Sequence, residues 1–264
     1  MNIGIVGYGL VGRTIHDALG GFQEYVFYIN DIKYPERFPT KDQLLQFCQY
    51  IFLCVDTPYR NNQPDMSNIY SAVEELYHHI QDGDNPVILI KSTMVPGTTE
   101  DLQALFPEFR FVVNPEFLRE ATALEDFLHP DRVVVGTDDV ELALTLFHKL
   151  FYHFVTPLQY CVVSPTAAEL VKLLSNALLT VKVAFANLVD VLAARIGFPA
   201  DTVMDAVTLD HRFHASHLTP SLGKISRSSL CLPKDLLMLR DYLVDAGIDS
   251  GFLNEVYKLG VANE

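Results

Sequence analysis

The sequence predicts an α/β fold: a doubly wound parallel sheet followed by an all-α segment built on one long helix. Three observations carry that expectation. Residues 1–160 alternate short, wholly apolar runs with helix-like stretches. A glycine-spaced turn, GYGLVG (7–12), directly follows the first apolar run and opens the first helical one. Residues 166–196 then run for 31 positions with neither Gly nor Pro.

Candidate strands fall at 2–6, 25–30, 50–55, 86–90, 110–113 and 132–136. Several, such as YIFLCV (50–55) and VILI (87–90), are continuous apolar runs, as expected where helices cover both faces of a parallel sheet. Helical patterns at 10–19, 67–80 and 140–150 supply the crossovers. At about 1.5 Å per residue, the stretch 166–196 makes a helix roughly 46 Å long. Leu170, Leu173, Leu174, Leu178, Val181, Phe185, Leu188 and Leu192 spread over more of its circumference than one sheet face covers. Such a helix belongs in a bundle or a dimer interface. Shorter helices are expected at 200–207, 233–244 and 252–259, with a polar, irregular loop at 211–230. The expected division is an N-terminal domain over 1–163 and a helical domain over 164–264.

Composition excludes several functions. With 264 residues, 49% hydrophobic and 20% charged, the chain is neither disordered nor collagen-like. Its 19 basic and 33 acidic residues give a net charge of −14, with no basic run to grip a nucleic-acid backbone. The four cysteines form no CxxC pair, so neither a disulfide scaffold nor a metal site is expected. The N-terminus lacks a basic region and a cleavage site. The long apolar stretch is interrupted by Glu169, Lys172, Lys182, Asp190 and Arg195, so no membrane span is expected and the protein is read as cytoplasmic.

The glycine turn carries chemistry. Gly7 permits the tight turn, Gly9 lets backbone approach a pyrophosphate, and Gly12 allows close helix–strand packing, while Leu10 and Val11 open the helix whose N-terminus faces that group. Asp31 ends the second strand 19 positions later (31 − 12), where an acid meets a ribose 2′-hydroxyl and repels a 2′-phosphate. The expectation is a Rossmann-type domain binding NAD in preference to NADP.

Further along, Lys172 and Asn176 are four apart on the long helix and share one face, interrupting an apolar series. Cys231 precedes Leu232-Pro233, and Pro in a first helical turn puts that thiol at a helix N-terminus, where the dipole favours thiolate. A buried structural cysteine and two solvated helix residues are the plainer readings of the same positions.

Five stretches, in order, resemble one family: VDTP (55–58), KSTMVPGTT (91–99), NPEFLREATALEDFLHPDRVVVG (114–136), AELVKLLSNALLTVKVAFAN (168–187) and CLPKD (231–235). Together they resemble the UDP-glucose/GDP-mannose dehydrogenase family, most closely its bacterial UDP-glucose 6-dehydrogenase branch. The resemblance implies oxidation of a nucleotide-sugar primary alcohol (UDP-glucose or similar) to a carboxylate, with NAD as oxidant. It implies Cys231 as nucleophile, Lys172 and Asn176 as stabilisers of the reacting oxygens, Glu116 as base for thioester hydrolysis, and Thr93 and Asp235 as aids to the hydrolytic water. It places Thr57, Pro58, Thr93 and Glu120 near the cofactor. Glu116, Phe117, Leu118, Arg119, Glu120, Lys172 and Asn176 fall near the sugar. Arg212 resembles an arginine that reaches the substrate of a neighbouring subunit, which goes with a homodimer formed through the long helix.

Three features depart from the family pattern. Only 33 residues follow Cys231 (264 − 231), too few for the third, nucleotide-gripping domain, so weak activity is expected. The segment before Cys231, KISRSSLC (224–231) after PSLG (220–223), has Ser228 and Ser229 where glycines are usual. Ala121 stands where Gly is usual. Two alternatives stay open: a short β-hydroxyacid dehydrogenase, and an NAD-binding regulatory dimer.

Overall fold

The structure is a computed structural model, and it describes residues 1–35, 41–81, 85–220, 223–226 and 231–262. Ser228 and Ser229, and part of the PSLG turn, lie outside the described residues. The chain divides into two compact units: Met1–Arg60 with Pro64–Lys172, and Leu173–Glu264 with Asn61–Gln63.

In the first unit, β1 (Asn2–Val6), α1 (Leu10–Gly20), β2 (Val26–Asn30), α2 (Lys41–Phe47) and β3 (Tyr50–Leu53) open the fold. A short ribbon, β4 (Tyr59–Arg60) and β5 (Gln63–Pro64), leads to α3 (Ser67–Tyr77), β6 (Val87–Ile90), α4 (Thr98–Leu105) and β7 (Arg110–Val113). After α5 (Ala123–Leu128) come β8 (Val133–Gly136), α6 (Val140–Leu146) and β9 (Tyr160–Val163). Seven strands form one sheet in the order β2-β1-β3-β6-β7-β8-β9. The doubly wound α/β expectation holds, with one local difference. β7 and β8 pair antiparallel, and only through Val113 and Gly136. Residues 114–132 do not recross the sheet, so β8 starts beyond the end of β7 rather than beside its beginning.

Period-two alternation within apolar strands explains why both faces are covered. On β3, Tyr50 and Phe52 join one core with Ile3, Ile5, Ile15 and Leu89, while Ile51 and Leu53 join the other with Leu44, Ile69, Val73 and Ile88. Phe52 is 1% exposed and Ile51 is 0% exposed; side chains of that kind each contribute about 1.5–3 kcal/mol.

α2, α4, α5, β9 and the β4–β5 ribbon fall outside the elements expected from the sequence. β3 also ends two residues earlier than expected. Cys54 N still donates to Val6 O at 2.7 Å, and the chain then turns away. The expected helix at 140–150 is split into α6 and a π-helical turn over Phe147–Phe151.

The long helix, α7 (Pro165–Ile196), begins in the first unit and supplies the scaffold of the second. By length and composition α7 passes the test for a bilayer span. Its Glu169, Lys172 and Asn176 are nevertheless buried inside the protein, as in a core helix. The second unit continues with α8 (Ala200–Thr208), α9 (Leu232–Asp245) and α10 (Gly251–Gly260). Asn187 Nδ2 donates to Leu259 O at 2.9 Å, and a Cβ on Gly260 would already touch Thr180. Opposite this contact, Leu174, Leu178, Phe185, Leu188 and Leu192 of α7 stay exposed.

Candidate active site

β2 and β3 flank β1 on opposite sides, so the chain reverses its direction of winding there and leaves a crevice at the C-terminal strand ends. The glycine turn lies at that crevice. Gly7 has φ +90°, and a Cβ on it would sit 2.5 Å from Cys54 O. A Cβ on Gly12 would sit 2.1 Å from Gly7 O. A Cβ on Gly9 would meet nothing within 4 Å, which leaves room for a ligand against backbone on that side. The first turn of α1, with Leu10 and Val11, carries no acidic side chain. Asp31 Oδ2 accepts from Tyr8 N at 2.6 Å and Oδ1 from Lys33 N at 2.7 Å, which fixes the carboxylate at the tip of β2. Beside it opens a cleft of about 340 Å³ lined by Asn30, Asp31, Ile32, Lys41 and His79. An open glycine, a helix N-terminus free of acidic side chains and a pinned carboxylate beside a cleft fit a dinucleotide. Thr57 is buried, and Pro58 O accepts from Asp65 N at 2.9 Å, which orders the turn after β3.

In the same unit, Lys172 Nζ donates to Glu116 Oε1 at 2.9 Å and to Glu116 O at 2.7 Å. The pair is nearly enclosed, with side chains 5% and 14% exposed. Phe117 lies under two cations, the Arg132 guanidinium 4.0 Å and the Lys172 ammonium 5.5 Å from its ring centre. Leu118 N donates to Glu116 Oε2 at 2.6 Å. Arg119 instead turns to Asp126, bonding it through both backbone and guanidinium. That hydrogen bonding holds the Asp126 carboxyl down at about 2. Glu120 and Ala121 are exposed in a 3-10 turn, Glu120–Thr122. Thr93 lies in the segment between β6 and α4.

The second unit brings together another group. Asn176 Nδ2 donates to Asp235 Oδ2 at 2.5 Å, and Lys234 Nζ donates to Asp235 Oδ1 at 2.6 Å. Asp235 is 1% exposed, and these two donors offset its lost hydration. Cys231 is the exposed N-cap residue of α9, and its carbonyl accepts from Asp235 N at 3.0 Å. The four cysteines form no disulfide among the described residues. Arg212 is exposed and bonded at 2.5 Å to its neighbour Asp210.

Sequence reasoning gave no role to three buried groups. Lys91 Nζ donates to Asn114 Oδ1 at 3.0 Å, and burial pulls the Lys91 ammonium down to about 8. Glu169 accepts from Gly97 N at 2.6 Å, Thr99 N at 3.0 Å and Thr99 Oγ1 at 2.6 Å. A usable signal was present: Lys91 and Asn114 each stand directly after an apolar strand end, VILI and FVV, where a polar residue faces the ligand edge of a parallel sheet.

The NAD binding domain of the UDP-glucose/GDP-mannose dehydrogenase family matches residues 37–155, and the central domain of the same family matches 166–260. The chain belongs to this family. NAD is the cofactor that membership implies. The UDP-glucose 6-dehydrogenase of Rickettsia conorii is 33% identical over 219 residues, 81% of this chain and 49% of that protein. The Streptococcus pneumoniae UDP-glucose 6-dehydrogenase is 33% identical over 203 residues, 73% of this chain and 49% of its own. The chain thus spans about half the length of the curated relatives it matches. Among solved structures, a UDP-glucose dehydrogenase from Pyrobaculum islandicum superposes with a TM-score of 0.85 at 27% identity, covering 98% of this chain and 67% of that one. A 3-hydroxyisobutyrate dehydrogenase from Mycobacterium tuberculosis, at 14% identity and a TM-score of 0.76 over 97% of this chain and 91% of its own, shares the fold.

Proposed function

We propose that this chain carries the catalytic part of an NAD-dependent nucleotide-sugar 6-dehydrogenase, oxidising the C6 alcohol of UDP-glucose or a similar sugar to a carboxylate. Residues 1–163 form the cofactor domain and 164–264 the helical domain bearing Lys172, Asn176 and Cys231. The observation that carries this reading is the enclosed Lys172–Glu116 pair at 2.9 Å. The sequence motifs single out both residues separately, and an ammonium held against a carboxylate is equipped to steady an oxyanion and to take a proton from water.

NAD supplies the hydride acceptor in both oxidations. In the first, the alcohol loses a proton to a base and becomes an aldehyde. The Cys231 thiolate then adds to the aldehyde carbon, giving a thiohemiacetal, and loss of the second hydride leaves a thioester. Lys172 and Asn176 donate hydrogen bonds to the carbon-bound oxygen at the stages where it bears charge. Glu116 takes a proton from water, the resulting hydroxide attacks the thioester carbon, and the C–S bond breaks to release carboxylate and thiolate. Thr93 and Asp235 orient that water. Glu120, Phe117, Leu118 and Arg119 border the sugar, and Thr57, Pro58, Thr93 and Glu120 the cofactor. Arg212 suits a substrate phosphate by charge and fork geometry.

The same reading includes a cytoplasmic homodimer. Leu174, Leu178, Val181, Phe185, Leu188 and Leu192 alternate spacings of four and three along α7, the seam on which two such helices pack. Sedimentation of the wild type and of Phe185→Glu tests it: a dimer that becomes a monomer is expected, and a monomeric wild type defeats it.

The deciding experiment for the chemistry counts NADH formed per sugar with UDP-glucose, a UDP-N-acetylmannosamine-type sugar and GDP-mannose. Two equivalents are expected. One equivalent points to a single-hydride oxidoreductase, and none, with tight NAD binding, to a non-catalytic NAD-binding protein. A Cys231→Ser variant that completes the second oxidation at the wild-type rate defeats the thioester route.

A further inference from the structure

Val6, Leu53, Ile90 and Val113 stand in register across β1, β3, β6 and β7. One position beyond them lie Gly7, Cys54, Lys91 and Asn114, so that row marks the C-terminal edge of the sheet. The backbone ladder extends to this level: Lys91 N donates to Leu53 O at 2.9 Å and Asn114 N to Ile90 O at 2.8 Å. Lys91 is therefore rigidly placed, and it is only 6% exposed. A buried ammonium needs partners to offset its lost hydration. Its Nζ donates to Asn114 Oδ1 at 3.0 Å, and Asn114 Nδ2 donates onward to Val134 O at 2.8 Å. These two bonds join the ends of β6, β7 and β8. They also fix the first residue of each segment that leads to a proposed site residue, Thr93 two positions after Lys91 and Glu116 two positions after Asn114.

Electrostatics ties the same groups together. The groups acting on Lys91 are Cys54, Glu116 and Lys172. Burial pulls the ammonium down to about 8, Lys172 pulls the same way, and Cys54 and Glu116 oppose them. Burial pushes the Cys54 thiol up to about 12, so at neutral pH it contributes no charge. The Glu116 carboxylate, hydrogen-bonded to Lys172, is then the remaining group that opposes the fall.

We propose that Lys91 is a positioning residue of the dehydrogenase site: through Asn114 it fixes the start of the segment that carries Glu116, the carboxylate that takes the proton from water. The assignment of the proton-accepting step rests on the function proposed above. The link between Lys91 and Glu116 does not, and it is measured first.

The full chain, labelled with ¹³C at lysine Cε, is titrated by NMR, and the Lys91 signal is identified by its loss in Lys91→Arg. A midpoint near 8 is expected in the wild type, falling in Glu116→Gln as the opposing charge disappears. A midpoint above 10, or one that Glu116→Gln leaves unmoved, overturns the proposal. In the NADH assay, Lys91→Met lowers kcat on the order of 10²-fold through misplacement of Glu116, with KM little changed. Lys91→Arg, which keeps its charge, restores most of the rate. Wild-type turnover that survives Lys91→Met also overturns the proposal. A wild type that makes no NADH defeats the dehydrogenase reading instead, and the titration still decides whether Lys91 is linked to Glu116.

Discussion

Glu169 offers a direct test of how burial and ionisation balance in this fold. The side chain belongs to α7, is 2% exposed, and spans to the start of α4, whose N-cap residue Gly97 (φ +99°) offers no side-chain cap of its own. Glu169 takes that role from a distance, accepting from Gly97 N, Thr99 N and Thr99 Oγ1. Burial raises its carboxyl from 4.5 to about 7; the three donors pull the other way, and Glu100 adds to the rise. Because the folded-state value is the higher one, the native protein holds a proton that the unfolded chain has released. The stability from this group is complete below pH 4.5 and is lost as pH rises through about 7. Linkage gives a slope of about 1.4 kcal/mol per pH unit across that window, on the order of 3 kcal/mol in all. Glu169→Gln removes the titration. Its amide NH₂ must also face one of the three donors, which costs about 1–3 kcal/mol at every pH. Urea unfolding on both sides of the window measures the difference. The wild type should lose stability relative to Glu169→Gln by about 3 kcal/mol between low and high pH. Parallel stability curves for the two proteins would refute the claim that burial outweighs the three hydrogen bonds.

Three other outcomes follow from the geometry. Gly12→Ala places a methyl 2.1 Å from Gly7 O, so it should unfold the glycine turn and abolish NAD binding by calorimetry; Gly9→Ala, with open space around it, should fold normally and lose affinity alone. Lys172→Met and Glu116→Gln should each destabilise the fold, since each removes one charge of an enclosed pair. The double variant should cost clearly less than their sum, and additive urea midpoints would count against a direct pair. Iodoacetamide labelling followed by peptide mass spectrometry should find the exposed Cys231 first. Cys48, 3% exposed, and Cys54 should react last, because burial pushes both thiols up to about 12.

Legibility in the sequence tracked whether a signal was local. Strand β1, the glycine turn and Asp31 were readable because spacing within some thirty residues specifies a turn, a helix start and an acid at a strand end. α7 was readable from its length without a breaker and was placed to within one residue at its start. α4 and α5 were not, because they are short, with eight and six residues, and are stabilised by distant groups. Glu169 caps α4 from 70 positions away at Thr99, which no window of local sequence contains. β9 alternates too weakly to announce itself, and pairing with β8 makes it a strand. The motifs named Glu116, Lys172, Asn176 and Asp235 as site residues, but not that they divide into two hydrogen-bonded groups, Glu116 with Lys172 and Asn176 with Asp235. That partition is tertiary.

The row at the sheet edge explains how such a site tolerates change. Val6, Leu53, Ile90 and Val113 are each at most 6% exposed, and their burial fixes the register of four strands. One position further, Lys91 and Asn114 are buried as well, but outside the two apolar cores. Their backbone nevertheless stays on the ladder through the bonds of Cys54, Lys91 and Asn114 to the preceding level. Position is therefore set by the core, whereas identity is free to follow chemistry. A thiol, an ammonium and a carboxamide occupy three adjacent places without altering the sheet. The cost falls on desolvation of Lys91, and Asn114 together with the Glu116 charge offsets it. If that separation is correct, substitutions at Lys91 shift titration and turnover far more than those at Ile90, and substitutions at Ile90 shift unfolding far more than those at Lys91→Arg.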